Sequence, residues 1–159
     1  MPEETIGDLT FRRAARSDLP VIVALLADDQ LGAQRERLEV PLPASYAEAF
    51  IAIDANPNQY LLVAERSGIL IGCLQLSLLR GLGRQGAWHA RFNDVRVARS
   101  LRSRGIGQEM LKHAVELARQ RGCVFIALTS HKSRTGAHHF YERLGFVASH
   151  EGMSMSLVP

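Results

Sequence analysis

The residues with the most chemistry in this chain run Val95-Arg96-Val97-Ala98-Arg99-Ser100-Leu101-Arg102-Ser103-Arg104-Gly105-Ile106-Gly107. They read as a strand that breaks into an arginine-rich, glycine-containing turn and then opens a long helix. A helix start presents unpaired backbone N–H groups and the positive end of the helix dipole, a combination that attracts anions. With glycine at 105 and 107 no side chain keeps a phosphate away from those N–H groups. The segment therefore predicts a phosphate-bearing ligand. It lacks the Gly-Lys-Ser/Thr ending of a triphosphate loop, and no serine or threonine follows Gly107 to hold Mg²⁺. A diphosphate gripped passively fits better than a triphosphate undergoing cleavage. A plain helix start that uses glycine for packing is the competing explanation.

A second glycine motif is a decoy. Gly81-Leu82-Gly83-Arg84-Gln85-Gly86 matches the dinucleotide fingerprint letter for letter, but Ala87-Trp88-His89-Ala90-Arg91-Phe92 follows it. That continuation is strand-like, whereas the fingerprint requires a helix. A glycine hairpin loop is the simpler reading. His131, His138 and His139 cluster near the end of the chain, but 138 and 139 point apart on a helix and no carboxylate completes a ligand set, so no metal is expected. Cys73 and Cys123 sit in apolar runs and read as free core thiols. Arg96, Arg99, Arg102 and Arg104 have no aromatic residues between them, unlike single-strand nucleic-acid binders.

The elements that must position these residues follow from periodicity. Leu9 to Ala14 alternates as a first strand. Ser17 or Asp18 can cap a helix carrying Leu19, Ile22, Val23 and Leu26. A polar stretch from Asp28 to Glu39 precedes a helix from Ala44 to Ala55, stopped by Asn56-Pro57. Gln59 to Glu65 and Ile69 to Leu79 are strands joined through Ser67-Gly68. Trp88 to Val97 is the next strand. The long helix runs from Gly105 to Arg121, with Ile106, Met110, Ala114, Leu117 and Ala118 buried and Gly122 ending it. Val124 to Leu128, a continuous apolar run, is expected to be a parallel strand covered on both faces. A short helix from Thr135 to Leu144 and a hairpin over 146–158, turning near Glu151-Gly152, complete the chain.

This order, β-α-α-β-β-β-α-β-α-β-β, predicts an α/β (mixed α+β) fold. The expected sheet is mixed and mostly antiparallel, with about seven strands and four flanking helices. The 159 residues, 47% hydrophobic and without a linker or repeat, suit a single domain over 1–159. A net charge of +3 permits an anionic ligand without requiring nucleic acid. The acidic N-terminus has no signal-peptide core and no run is long enough to span a membrane, so a cytoplasmic location is expected.

Asp94-Val95-Arg96-Val97 followed by Arg102-x-x-Gly105-x-Gly107, with Ala137-x-x-Phe140-Tyr141-Glu142-Arg143-Leu144-Gly145-Phe146 downstream, resembles the acetyl-CoA-binding motif and the last helix and strand of the GNAT family of N-acetyltransferases. The resemblance implies that fold and acetyl-CoA as cosubstrate. It implies that the backbone of Val95, Arg96 and Val97 pairs with the pantetheine arm. It further implies that N–H groups of Arg102, Ser103, Arg104, Gly105, Ile106, Gly107 and Gln108 cradle the pyrophosphate, and that Tyr141 stands beside the thioester sulfur. Arg134 occupies a place where the family often has asparagine, so a cation there would approach the cofactor phosphates.

Acetyl transfer needs an oxyanion donor, for which a backbone N–H near Val95 is a candidate. It needs an acid for the leaving thiolate, and Tyr141 suits that task because thiols titrate near ~8.5 and tyrosines near ~10. It also needs a base for the incoming ammonium. Many relatives use a glutamate where this chain has Asn93, which can at most order a water. His89 has suitable chemistry and shares a strand face with Arg91, Asn93 and Val95 unless a bulge intervenes; Asp94 lies on the other face unless the strand is bulged. The acceptor is expected to be a small-molecule amine, and the acids between Asp28 and Glu39 favour a cationic one. A non-catalytic acyl-CoA sensor of the same fold is the alternative. No nucleic-acid or membrane partner is expected, and a homodimer is left open.

Overall fold

The computed structural model describes residues 4–159, which divide into two compact units, a first that ends at Ala127 and a second over Leu128–Pro159. Six strands form one sheet in chain order: β1 (Glu4–Ile6), β2 (Leu9–Arg13), β3 (Gln59–Arg66), β4 (Ile69–Arg80), β5 (Trp88–Val97) and β6 (Cys123–Leu128). The first five pair antiparallel, each with the next. The helical segments are α1 (Leu19–Ala27), α2 (Gln30–Arg35), α3 (Ala44–Ala55), the one-turn α4 (Gly83–Gly86), α5 (Ile106–Gln120) and α6 (Thr135–Arg143).

The first unit is built on strand alternation. Gly72 and Cys73 are neighbours on β4, so they face opposite sides of the sheet. Cys73 belongs to a cluster with Leu61 and Val63 of the sheet, Ile22 and Leu25 of α1, and Phe50 of α3. On the other side, a methyl group added at Gly72 would lie 3.4 Å from the Met110 sulfur of α5. The sheet is therefore covered by α1 and α3 on one face and by α5 on the other. Phe11, Leu62, Leu74 and Phe92 fill the α5 side with Ile106, Met110, Leu111 and Ala114, and Phe11 stacks on His113 at 4.9 Å. Fully burying side chains of this size contributes about 2 kcal/mol each.

Several expectations need correction. The polar stretch after α1 contains a short helix, α2, because the Asp29 carboxylate accepts the Gly32 N–H and caps it. Asp18 does not cap α1 with its side chain. It accepts the Ala15 N–H at 2.7 Å across a 3-10 turn, Arg16–Asp18, instead. The glycine motif at 81–86 needs no such correction: it is a left-handed turn between β4 and β5, with Arg84 at φ 55° and Gln85 at φ 59°, and it leads into a strand as the sequence predicts. Apolar β6 is not covered on both faces: none of its residues is buried and Val124 is 65% exposed.

The second unit holds α6 and the chain that follows. The expected hairpin over 146–158 is absent, so among the described residues the sheet has six strands rather than seven. Met153, Met155 and Leu157 are exposed. Alternation supplied a strand-like pattern, but a two-stranded ribbon alone is marginal. Local bonds take up part of its backbone instead: the Ser156 hydroxyl accepts the Val158 N–H at 3.4 Å and donates to its carbonyl at 2.9 Å.

Arg12 of β2 fixes the start of α1 to the sheet. Its guanidinium donates to both oxygens of Asp18 at 2.7 and 3.0 Å and to Glu65 of β3 at 2.6 Å. The bond from Arg12 holds the Asp18 carboxyl below its usual range against the opposing effect of burial. A carboxyl depressed in the folded state adds stability that is complete above its unfolded value and is lost as pH falls through the folded one. Asp18→Asn is expected to cost about 2 kcal/mol near neutral pH. In urea unfolding, the gap to the parent should narrow as pH drops below about 4; a gap independent of pH would refute the ion-pair assignment.

Candidate active site

β5 carries the strand half of the site. Gln75 pairs with Asn93 and Cys73 with Arg96, so Leu74 alone faces both Asp94 and Val95. The additional residue makes a bulge. Asp94 takes it up with φ 52°, in the left-handed region that aspartate and asparagine enter more readily than most residues. The insertion resets the alternation. By register, His89, Arg91 and Asn93 lie with Ser77 and Gln75 on the α1–α3 face, and Arg96 continues that face opposite Cys73. Val95 and Val97 fall on the α5 face. The expected set of His89, Arg91, Asn93 and Val95 is thus broken at its last member.

Beyond β5 the chain makes a 3-10 turn, Arg99–Leu101, then two left-handed residues, Ser103 at φ 61° and Gly105 at φ 81°. Gly105 is the N-cap of α5 and supplies no side-chain acceptor for the first-turn N–H groups. A Cβ there would meet nothing within 4 Å, so the threshold of α5 is open. Ile106 and Met110 anchor the helix from inside, at 1% and 0% exposure.

Arginines fasten this loop to the α1–α2 corner. Arg99 donates to the Asp28 carbonyl at 3.1 Å and lies 3.4 Å from its carboxylate. Arg102 donates to the carbonyls of Val97 at 3.1 Å and Asp28 at 3.3 Å. The Arg96 side chain is nine-tenths buried, bonded to the Val95 carbonyl at 3.1 Å and 3.8 Å from Asp29. Its Nε has no hydrogen-bond partner. The side chains of Arg96 and Arg102 are therefore turned to the protein's own oxygens. Arg104, exposed and without a carboxylate partner among the described residues, is the cation left at the threshold.

The other candidates separate. His89 stacks on Phe125 of β6 at 4.8 Å and 3°, and the Arg84 guanidinium lies 4.3 Å from the same Phe125 ring. Four residues of extended strand, roughly 13 Å, separate His89 from Asn93. Asn93 accepts from Arg91 at 3.4 Å. Burial, reinforced by the Asp94 carboxylate, pushes the Cys73 thiol up to about 12, so it is neither a thiolate nucleophile nor a base. The acids expected to select a cation are all engaged: Asp28 and Asp29 as above, Glu36 by the Tyr46 hydroxyl at 2.8 Å and Glu39 by Arg37 at 2.6 Å.

In the second unit, Tyr141 lies on α6 between Phe140 at 5.3 Å and Phe146 at 5.8 Å, and Arg134 is the residue before the helix. His131 bonds to Ser133, His138 to the His131 carbonyl, and His139 lies 3.4 Å from Glu142. Among the described residues no group of histidine, cysteine and acid side chains can hold a metal, and no helix is long and apolar enough to cross a membrane. Sequence reasoning left the bulge open as the alternative to regular alternation; its one local signal is an aspartate inside a strand of apolar and basic residues.

Comparison with known proteins fits this geometry. Over 106 residues, the chain is 30% identical to the aminoalkylphosphonate N-acetyltransferase of Salmonella typhimurium, covering 67% of this chain and 68% of that one. It is 30% identical over 91 residues to the glucosamine 6-phosphate N-acetyltransferase of Trypanosoma brucei brucei, covering 57% and 60%. A crystal structure of a transcriptional regulator from Bacillus halodurans C-125 superposes with a TM-score of 0.91 at 44% identity, over 94% of this chain and 99% of that one. The model of the acetyltransferase (GNAT) family matches residues 24–146, most of the chain, from the last turn of α1 through α6, and the protein belongs to that family.

Proposed function

We propose that the protein transfers an acetyl group from acetyl-CoA to the primary amine of a small molecule by direct attack on the thioester. The observation that carries this reading is the open threshold of α5, with Gly105 left-handed and uncapped, directly after a bulged strand. Backbone N–H groups from Arg102 to Gln108 hold the pyrophosphate, with Arg104 adding charge. The backbone of Val95, Arg96 and Val97 runs beside the pantetheine arm, and an N–H near Val95 stabilises the oxyanion. Tyr141 returns a proton to the departing thiolate, the role the family resemblance gives it. Arg134 remains a candidate contact for the cofactor phosphates, and Asn93 orders a water near the amine. His89, stacked on Phe125 and about 13 Å along β5 from Asn93, is given a wall role in this reading because of that separation.

The acceptor reading shifts from a cation to an amine with an anionic arm. The acids that would attract a cation are neutralised in ion pairs and hydrogen bonds. Exposed Arg91, on the Asn93 face, has no carboxylate partner among the described residues. Two relatives are named for amines bearing a phosphonate or a phosphate. A second reading, a non-catalytic acyl-CoA sensor, draws on the relative named as a transcriptional regulator. Steady-state release of free thiol separates the two, because a sensor binds acetyl-CoA without turning it over.

A thiol-release screen over aminoalkylphosphonates, amino-sugar phosphates, neutral amines and polyamines, paired with calorimetry for acetyl-CoA, tests both. Acetyl-CoA should bind, and turnover should concentrate in the anionic classes; binding with no turnover on any amine would select the sensor. Tyr141→Phe should lower kcat by about 10²-fold while leaving acetyl-CoA affinity nearly intact, and unchanged turnover would remove the acid role. Gly105→Ala forces a Cβ onto a left-handed residue, costing roughly 1 kcal/mol of stability, and should also weaken acetyl-CoA binding. A variant that binds the coenzyme as the parent does would place the pyrophosphate elsewhere.

A further inference from the structure

A basic amine is an ammonium at neutral pH, and its nitrogen must give up a proton before a lone pair is free to attack the acetyl carbon. Something at the end of β5 must take that proton. The strands β4 and β5 contain a single carboxylate between them, Asp94. Their other groups able to accept a proton are Cys73, held as a thiol, and His89, stacked on Phe125 some five residues away. The nearby acids of the α1–α2 corner are occupied by Arg96, Arg99 and Arg102.

The bulge decides what Asp94 can do. In an unbroken strand its side chain would fall on the α5 face, among Phe92, Leu74 and Met110. With the extra residue it is exposed instead. Its carbonyl accepts from the Cys73 thiol at 3.7 Å, which sets it beside the cross-strand neighbour of Arg96. Its carboxylate has no hydrogen bond or ion pair among the described residues. The titratable group that faces it is the Cys73 thiol of β4, which also feels the Arg96 guanidinium across the strand pair.

We propose that Asp94 is the catalytic base, brought to the acceptor side by the β5 bulge. This rests on the acetyltransfer reading above. Asp94 accepts a proton from the incoming ammonium, which frees the nitrogen lone pair. That pair forms the N–C bond to the acetyl carbon while the carbonyl π pair moves to oxygen. The carbonyl then re-forms, the C–S bond breaks and sulfur keeps its pair; nitrogen sheds its second proton as the thiolate takes one up to become the free thiol, and Asp94 returns its proton to water. The products are the acetamide and CoA.

Aspartate also suits a left-handed residue for backbone reasons alone, so the test separates the two roles. Asp94→Asn and Asp94→Gly both keep that conformation and both lose the base. Both should bind acetyl-CoA as the parent does in calorimetry and lose about 10²-fold or more in kcat on a strongly basic amine at neutral pH. The loss should shrink for hydroxylamine, which is already unprotonated, and should shrink as pH is raised toward the acceptor's own titration. Near-parental turnover in either variant overturns the proposal, as does an equal loss on hydroxylamine and on the basic amine, or the loss of acetyl-CoA binding in both. Failure of the underlying reading looks different, since the parent itself would then release no thiol with any amine.

Discussion

Leu74 of β4 faces two residues of β5 where regular pairing allows one, and much of the first unit depends on that mismatch. Upstream of it, Phe92 and Ala90 point under α5 and are fully buried. Downstream, the parity is reversed, so Val95 and Val97 take the α5 side and Arg96 the other. Had β5 continued without the insertion, the Arg96 guanidinium would have entered the packed layer of Gly72, Leu74 and Met110. An unpaired cation in such a layer costs several kcal/mol. The bulge thus reconciles a basic strand end with an apolar interior, and the left-handed residue it needs is met by an aspartate.

The Arg96 position links that strand to the helices above it. Its Nη2 reaches toward Asp29, while Arg99 and Arg102 reach Asp28 one residue earlier. Asp28 closes α1 and Asp29 opens α2, so two helix ends meet at this corner. Cations at the closing end of α1 and a carboxylate at the opening end of α2 both complement the helix dipoles. These pairs are partly exposed, and each is worth only a fraction of a kcal/mol to about 1 kcal/mol. Their value is geometric. They fasten the loop after β5 to the α1–α2 corner, and a loop held in place loses less entropy if it binds a ligand.

How much of this was legible depended on whether the signal was local. The helix Ala44–Ala55 and the strand Trp88–Val97 appear with the bounds that periodicity gave them, because apolar spacing and the Asn56-Pro57 stop act within a few residues. The buried stripe of α5 was equally legible, from Ile106 to Ala118. The tail failed for the opposite reason. Met153, Met155 and Leu157 alternate as a strand would, but a strand exists only with a partner, and partners are set by the fold at large. β6 failed likewise: an apolar run indicates what a segment can bury, not what is there to cover it. For the site, the glycine at 105 announced an open, left-handed helix start, which the structure has. The bulge could only be left as an alternative to regular alternation, and the engagement of Asp28 and Asp29 was invisible, since these are matters of register and of contacts across more than sixty residues.

Cys73 bears on the route the chemistry takes. A thiol beside an acyl donor invites a two-step path through an acyl-cysteine, and attack on a thioester requires the thiolate. A thiol titrating at about 12 is ionised in only about one molecule in 10⁵ at neutral pH. Burial excludes the charged form first, and the Asp94 carboxylate disfavours it further, outweighing Arg96. The carboxylate exposed by the bulge therefore acts twice on the same reaction. Second to burial, it disfavours the thiolate that a path through the protein would need, and under the proposed mechanism it is also the acceptor for the amine's proton.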